Sequence, residues 1–235
     1  MVNEFFAQFG EATRLLTSGD LRLAAIVCLS VQVSAVAVLA ASVIGLPAGA
    51  LLAIGRFPGR RALIVAVNAC MGLPPVVVGL AVYLLLSRAG PLGEWGLLFT
   101  PAAMMLAQSI LVAPIIIALT RQAVDDAWQE YAEQLRSLNV GTVRAALTLL
   151  WDLRFSLLTV LLAGFGRAAA EVGAVMIVGG NIDGVTRVMT TTIALETSKG
   201  DLPLALALGA VLVGLVLVLN VSAFAINEFA RRRYG

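Results

Sequence analysis

The 235-residue chain is 60% hydrophobic and 13% charged, where a soluble domain carries about 25% charged residues, so the composition indicates a membrane protein rather than a large soluble core. A formal net charge of +2 excludes a strongly basic nucleic-acid binder. The lack of histidine removes the usual general base, and the two cysteines, Cys28 and Cys70, lie in apolar runs with no metal-ligand spacing.

Residues 1–20 read as an amphipathic helix. Phe5, Phe6, Phe9, Ala12, Leu15 and Leu16 fall near helical spacing, with Glu4, Gln8, Glu11 and Arg14 between them. Such a helix can lie on a membrane surface or pack as a cap on the protein. It has no basic segment followed by an apolar core, so it does not read as a signal peptide.

From residue 21 onward, five stretches are long and apolar enough to cross a bilayer, which takes about 20 residues. They are Leu23–Ile54, Ala62–Ser87, Trp95–Thr120, Phe155–Gly179 and Leu202–Asn227. The first is too long for one crossing and too short for two, so one helix is expected, bent near Gly45-Leu46-Pro47 and projecting from the membrane. Gly45-x-x-x-Gly49 on it can bring helices close. Pro74-Pro75 predicts a kink or break in the second span, because neither proline has a backbone donor. Between Gly180 and Asp201 only Val188–Leu195 is uncharged; eight helical residues reach about 12 Å, so a re-entrant or extramembrane segment with a short helix is expected.

Five spans place the ends on opposite sides. With the N-terminus outside, ten arginines fall inside (Arg56, Arg60, Arg61, Arg121, Arg136, Arg144, Arg154, Arg231, Arg232, Arg233) against Arg14, Arg22, Arg88, Arg187 and Lys199 outside. The positive-inside rule therefore selects N-out, C-in. Residues 121–154 then form the longest cytoplasmic segment. It reads as two short helices broken near Asn139-Val140-Gly141, and it is far longer than the connector of about 2–8 residues that a helix pair needs. A docking surface is expected there.

The residues of that segment carry a resemblance. Tyr131-Ala-Glu-Gln-Leu-Arg-Ser-Leu-Asn139-Val-Gly resembles the E-A-A-x-x-x-G loop of ATP-binding cassette importer permeases, with Glu133 on the glutamate, Gln134 and Leu135 in place of the two alanines, and Asn139 in place of the glycine. Leu149-Leu150-Trp151-Asp152 falls where the family has Ile-x-Leu-Pro and lacks the proline. Arg56-Phe-Pro-Gly-Arg60, Gly72-Leu-Pro-Pro-Val-Val-Val-Gly79 and Gly166-Arg-Ala-Ala-Ala-Glu-Val-Gly-Ala174 are similar to segments of molybdate-type permeases. The stretch from Val175 to Leu202 is most like the tungstate branch.

The resemblance implies an all-α polytopic membrane protein with the type I importer permease fold, spanning residues 21–235, in the plasma (inner) membrane. It implies a homodimer, two ATPase subunits inside and a substrate-binding protein outside, for an oxyanion: tungstate first, molybdate or sulfate as alternatives. It also implies a coupling helix on Glu130, Tyr131, Glu133, Leu135, Arg136, Leu138, Asn139 and Gly141. Larger relatives carry an extra N-terminal span or a C-terminal regulatory domain, and neither is expected here. No cofactor or metal is expected on this chain. It lacks a G-x-x-x-x-G-K-[ST] loop, so ATP would be used by the partner ATPase.

Arg167 and Glu171 fall mid-span, where an unpaired charge costs at least about 2.5–3.5 kcal/mol. On one helix their i, i+4 spacing would pair them. Glycines and alanines around them suit close helix approach. Two readings stay open: an ion pair that only fixes packing, or part of a gate or translocation path. Asn68, Gln108, Ser109, Thr190, Thr191 and Thr192 could line such a path, offering hydrogen bonds to an oxyanion without fixed charge. A weakly binding path also avoids trapping the ion. An ion-gradient-driven transporter is the competing class, but the odd span count and one-sided loop are unlike its paired repeats. A non-transporting scaffold would have no use for the buried charges.

Overall fold

A computed structural model describes residues 10–14 and 20–234. The expected amphipathic helix over residues 1–20 lies mostly outside the described residues; residues 10–14 within it are helical. Helix α1 is Leu21–Ile54, α2 Arg60–Cys70, α3 Pro75–Leu86, α4 Pro101–Ser137, α5 Thr142–Asp152, α6 Arg154–Ala169, α7 Gly173–Gly179, α8 Met189–Lys199 and α9 Leu202–Tyr234, with a 3-10 turn at Gly93–Trp95. By length and hydropathy α1, α4 and α9 can each cross a membrane, and up to five crossings are available if each bent helix pair counts as one.

The 34 residues of α1 run unbroken through Pro47, reaching about 51 Å, well beyond a hydrocarbon core of about 30 Å. The second expected span is interrupted between Cys70 and Pro75, where the paired prolines fall. The third begins at Pro101 instead of Trp95. Proline suits a first helical turn because its missing donor would be unpaired there anyway.

That third helix also corrects the reading of residues 121–154. The first of the two expected short helices is not separate: α4 continues through Asp125, Asp126 and Glu130 to Ser137. The charges end the apolar run, while Arg121, Gln122, Gln129, Glu130, Glu133 and Gln134, all good helix formers, carry the helix on. The break falls where it was expected, at Asn139, which takes a left-handed φ of 53° before α5 starts at Thr142. The short helix expected between 180 and 201 is α8.

The fourth expected span is also corrected. Phe155–Gly179 is not one helix; α6 ends at Ala169 and α7 starts at Gly173. Instead α5 and α6 form a bent pair, at 80°.

Within the described residues the chain divides into two compact units. One comprises the chain through Val36, Pro75–Gln108 and Ala169–Val218. In it Ile26, Met189 and Leu208 form a buried cluster, and α3 packs on α7 so closely that a methyl at Gly79 would sit 2.7 Å from Ala174 Cα. The other unit comprises Ala37–Pro74, Ser109–Ala168 and the chain from Leu219. In it the Gly45-x-x-x-Gly49 pattern is used: added methyls would meet Ile116 Cγ2 at 2.8 Å and the Ile117 carbonyl oxygen at 2.7 Å. Small residues thus let α1 and α4 approach, and Ser109 Oγ donates across them to the Ala37 carbonyl at 3.1 Å.

Many large apolar side chains remain exposed, including Leu39, Val43 and Ile44 on α1, Leu80 and Leu84 on α3, and Val213, Leu217 and Val221 on α9. Exposed apolar side chains of this size and number fit helices whose solvent is lipid.

Candidate functional site

The break after α6 decides how Arg167 and Glu171 are held. Arg167 lies in the last turn of α6, where the negative end of the helix dipole favours a cation. Glu171 lies just ahead of α7, and its buried carboxylate accepts a hydrogen bond from the Ala174 backbone N–H at 3.1 Å. That is the end where a helix favours an anion. The two residues therefore do not share one face of a continuous helix, as their spacing suggested; each sits at the helix terminus that its charge stabilises. Breaking a helix among apolar neighbours frees backbone groups that must find partners. The Glu171 carbonyl finds one in the Thr190 hydroxyl at 2.8 Å.

The three threonines expected to line a path sit at the start of α8 and are buried. Their hydroxyls are committed to backbone. Thr191 Oγ1 donates to the Val188 carbonyl at 3.1 Å and accepts from the Val188 N–H at 3.1 Å. Thr192 Oγ1 donates to the same carbonyl at 2.7 Å. Gln108 and Thr190 come together with Ser30 and Ser34 around a cavity of about 10 Å³, which is room for about one water. In this conformation the polar cluster is closed to an oxyanion. Ser30, which the sequence reading did not single out, ties α1 to α8: its Oγ accepts from the Met189 N–H at 2.7 Å and donates to the Ile26 carbonyl at 2.7 Å. Its signal was only a hydroxyl within an apolar run. Asn68 is exposed on α2 and does not line that cavity.

The second expected site lies in the other unit. The end of α4, the turn and α5 form an elbow on a core of Ala50, Ala53, Ile54, Val124, Ala127, Ala145, Ala146 and Leu149, with Trp128 and Leu135 packed against it. Its outward face carries Glu130, Tyr131, Glu133, Arg136, Asn139 and Gly141, all exposed. Large apolar groups stand out from it, among them Leu138 at 73% and Trp151 at 71% exposed. Arg154 stacks on Trp151, its guanidinium carbon 5.2 Å from the ring centre.

The sequence reading missed what Arg56-Phe-Pro-Gly-Arg60 does. Gly59 turns the chain with φ of 87°. Arg60 then reaches back to the end of α1, donating from Nε to the Leu52 carbonyl and from Nη2 to the Ala53 carbonyl, each at 2.7 Å. A guanidinium fork on terminal carbonyls caps the helix and complements its dipole. Asp125 on α4 lies 3.7 Å from both Arg60 and Arg121.

Apolar helices long enough for a bilayer and large exposed apolar surfaces define a membrane protein. The sequence places it further: residues 45–235 match the family described as binding-protein-dependent transport system inner membrane component, and the chain belongs to that family. It is a permease of the ATP-binding cassette transporter class. It is 39% identical over 226 residues to the tungstate uptake system permease protein TupB of Peptoclostridium acidaminophilum, covering 96% of this chain and 99% of that one. A probable anion ABC transporter permease of Haloferax volcanii is 40% identical, over 86% of this chain and 90% of its own. The TupB of Campylobacter jejuni is 41% identical, over 70% and 69%. Permeases named for sulfate and molybdenum match at lower identity.

Proposed function

We propose that this permease carries tungstate inward as a homodimer. Two ATPase subunits would dock on the elbow, and an external binding protein would deliver the anion. The chain would cross the membrane five times with its N-terminus outside. ATP binding would draw the ATPases together and push the elbow formed by α4 and α5, and the membrane helices would turn from inward-open to outward-open. Hydrolysis, on the partner's residues, would reset them. The continuity of α4 favours this reading, since one helix runs from Pro101 through the apolar run to Ser137 at the elbow. A push at one end then has a mechanical route to Gln108 near the other.

The cation excess on the elbow side supports the orientation. Tungstate rests on the names of the relatives, because the hydroxyl and amide groups of the polar cluster do not distinguish tungstate from molybdate. Uptake of labelled tungstate into proteoliposomes, with cognate ATPase, binding protein and ATP, tests the proposal. Uptake should require all three. Transport driven by an ion gradient without the ATPase would overturn it, and equal or greater uptake of molybdate or sulfate would reassign the substrate.

A further inference from the structure

A cavity of about 530 Å³ opens where α1 ends and α2 begins, lined among others by Arg56, Phe57, Arg60, Arg61, Asp125 and Trp128. That volume lies in the range of about 300–1,000 Å³ usual for ligand clefts. Its charges divide into committed and uncommitted groups. Arg60 is spent on the Leu52 and Ala53 carbonyls, and Asp125 is shared between Arg60 and Arg121. Arg56 and Arg61 are exposed, and their side chains make no ion pair or hydrogen bond among the described residues. The 11-residue helix α2 also starts here, bringing the positive end of its dipole.

The cavity lies at a defined level of the molecule. The apolar run of α1 stops at Ile54, and Leu51, Leu63 and Val65 beside it are exposed. Apolar surface that would face acyl chains thus gives way at this point to arginines and to two aromatic rings, the pattern of a headgroup boundary. A free inorganic anion would use the guanidinia but not the rings or the apolar flank.

We propose that this cavity holds the headgroup of an anionic phospholipid, with Arg56 and Arg61 on its phosphodiester and Phe57 and Trp128 against its glycerol and upper acyl carbons. The assignment to the cytoplasmic leaflet rests on the orientation proposed above. Basic pockets at the cytoplasmic end of membrane helices suit such lipids.

The test uses the assembled permease–ATPase complex in detergent, with lipid retention read by native mass spectrometry. Phosphatidylglycerol should be retained over phosphatidylcholine by about 10-fold or more, as two arginines at a headgroup allow. Arg56→Gln with Arg61→Gln should bring the preference within about 2-fold, while Arg88→Gln, an exposed arginine elsewhere, should leave it intact. If the double variant does not assemble, each single variant should lower the preference. Equal retention of the two lipids, or a preference untouched by these variants, overturns the proposal. Displacement of phosphatidylglycerol by millimolar phosphate would make the site a simple anion site. Retention seen only after the ATPases are removed would give the cavity to the protein partner. The assay reads neither uptake nor orientation, so its failure and a failure of the tungstate proposal are separately visible.

Discussion

Gly79 and Ala174 touch through their backbones: a methyl group on Gly79 would stand 2.7 Å from Ala174 Cα and 3.2 Å from its carbonyl oxygen. The contact locks α3 to α7, the short helix that follows the break after Arg167. Replacing glycine by alanine in a helix stabilises by about 0.4–1 kcal/mol when the site has room. Overpacking costs about 1–3 kcal/mol, and here the opposing atoms are backbone and cannot swing aside. The clash should win. Gly79→Ala is expected to lower the unfolding midpoint of the purified permease, and Gly79→Leu to lower it further. An unchanged midpoint for the leucine variant would mean that α3 and α7 are not held at this distance.

Glu171 tests whether its carboxylate acts by shape or by charge. Glu171→Gln keeps an oxygen that can accept from the Ala174 N–H, whereas Glu171→Ala removes it. Losing the acceptor leaves a buried N–H unsatisfied at about 1–3 kcal/mol, so the alanine variant should assemble poorly. The glutamine variant should assemble normally and yet transport slowly, because it strips the negative charge from the α7 terminus. Uptake and ATPase rates of assembled complexes decide this. Wild-type rates in the glutamine variant would leave the carboxylate as a helix cap and nothing more.

Asp183 joins two arginines of unequal burial. Arg22 reaches it at 2.5 Å with 65% of its side chain exposed, and Arg187 reaches it at 3.0 Å with 14% exposed. Exposed ion pairs contribute about 0.2–1 kcal/mol and are weakened by salt. Arg22→Ala should therefore cost less than about 1 kcal/mol. Arg187→Ala also removes a packed aliphatic stem, and should cost about 1–2 kcal/mol. Chemical unfolding of the two variants would separate them, and a larger loss for Arg22→Ala would show that burial is not what sets the difference.

These cases show where sequence reasoning holds. Hydropathy located the apolar helices, and Pro74-Pro75 marked the break after α2, because both signals are local. The break at 170–172 has no local breaker. Ala168, Ala169 and Ala170 favour helix, and the i, i+4 spacing of Arg167 and Glu171 argued for continuity. What accompanies the break is largely tertiary, the close approach of Gly79 to Ala174 and the Thr190 hydroxyl on the Glu171 carbonyl, to which the Glu171 carboxylate adds a local cap on the Ala174 N–H. The charges after Thr120 suggested the opposite error, a separate helix, although nothing between Thr120 and Ser137 stops α4. Candidate path residues were legible as polar groups in apolar runs, but whether a threonine hydroxyl is open or bonded to its own backbone is invisible in sequence.

Asn139 shows that a degenerate motif can keep its physics. It stands where the family pattern has glycine and adopts a φ of 53°. Asparagine is one of the few side chains that visits this region readily, while a β-branched residue pays about 1–2 kcal/mol. Asn139→Gly should leave stability within a few tenths of a kcal/mol, and Asn139→Val should destabilise the elbow by about 1–2 kcal/mol. Urea unfolding of the two variants checks the sign; equal midpoints would refute a left-handed requirement at the turn.

The elbow offers the sharpest separation of docking from folding, because its two kinds of apolar residue face opposite ways. Leu149 is 1% exposed within the alanine-rich core, and Leu138 projects from the turn. Leu149→Ala should cost about 2–5 kcal/mol of stability through lost contact and a residual cavity. Leu138→Glu touches little of its own chain and should leave stability within about 0.5 kcal/mol. At a docked interface, however, it would bury an unpaired charge, and loss of an anchoring side chain there costs about 2 kcal/mol or more. The expected result is a stable permease that no longer copurifies with its ATPase and no longer stimulates ATP hydrolysis. A Leu138→Glu complex that assembles and transports at the wild-type rate would remove the elbow from the interface and with it the mechanical route along α4.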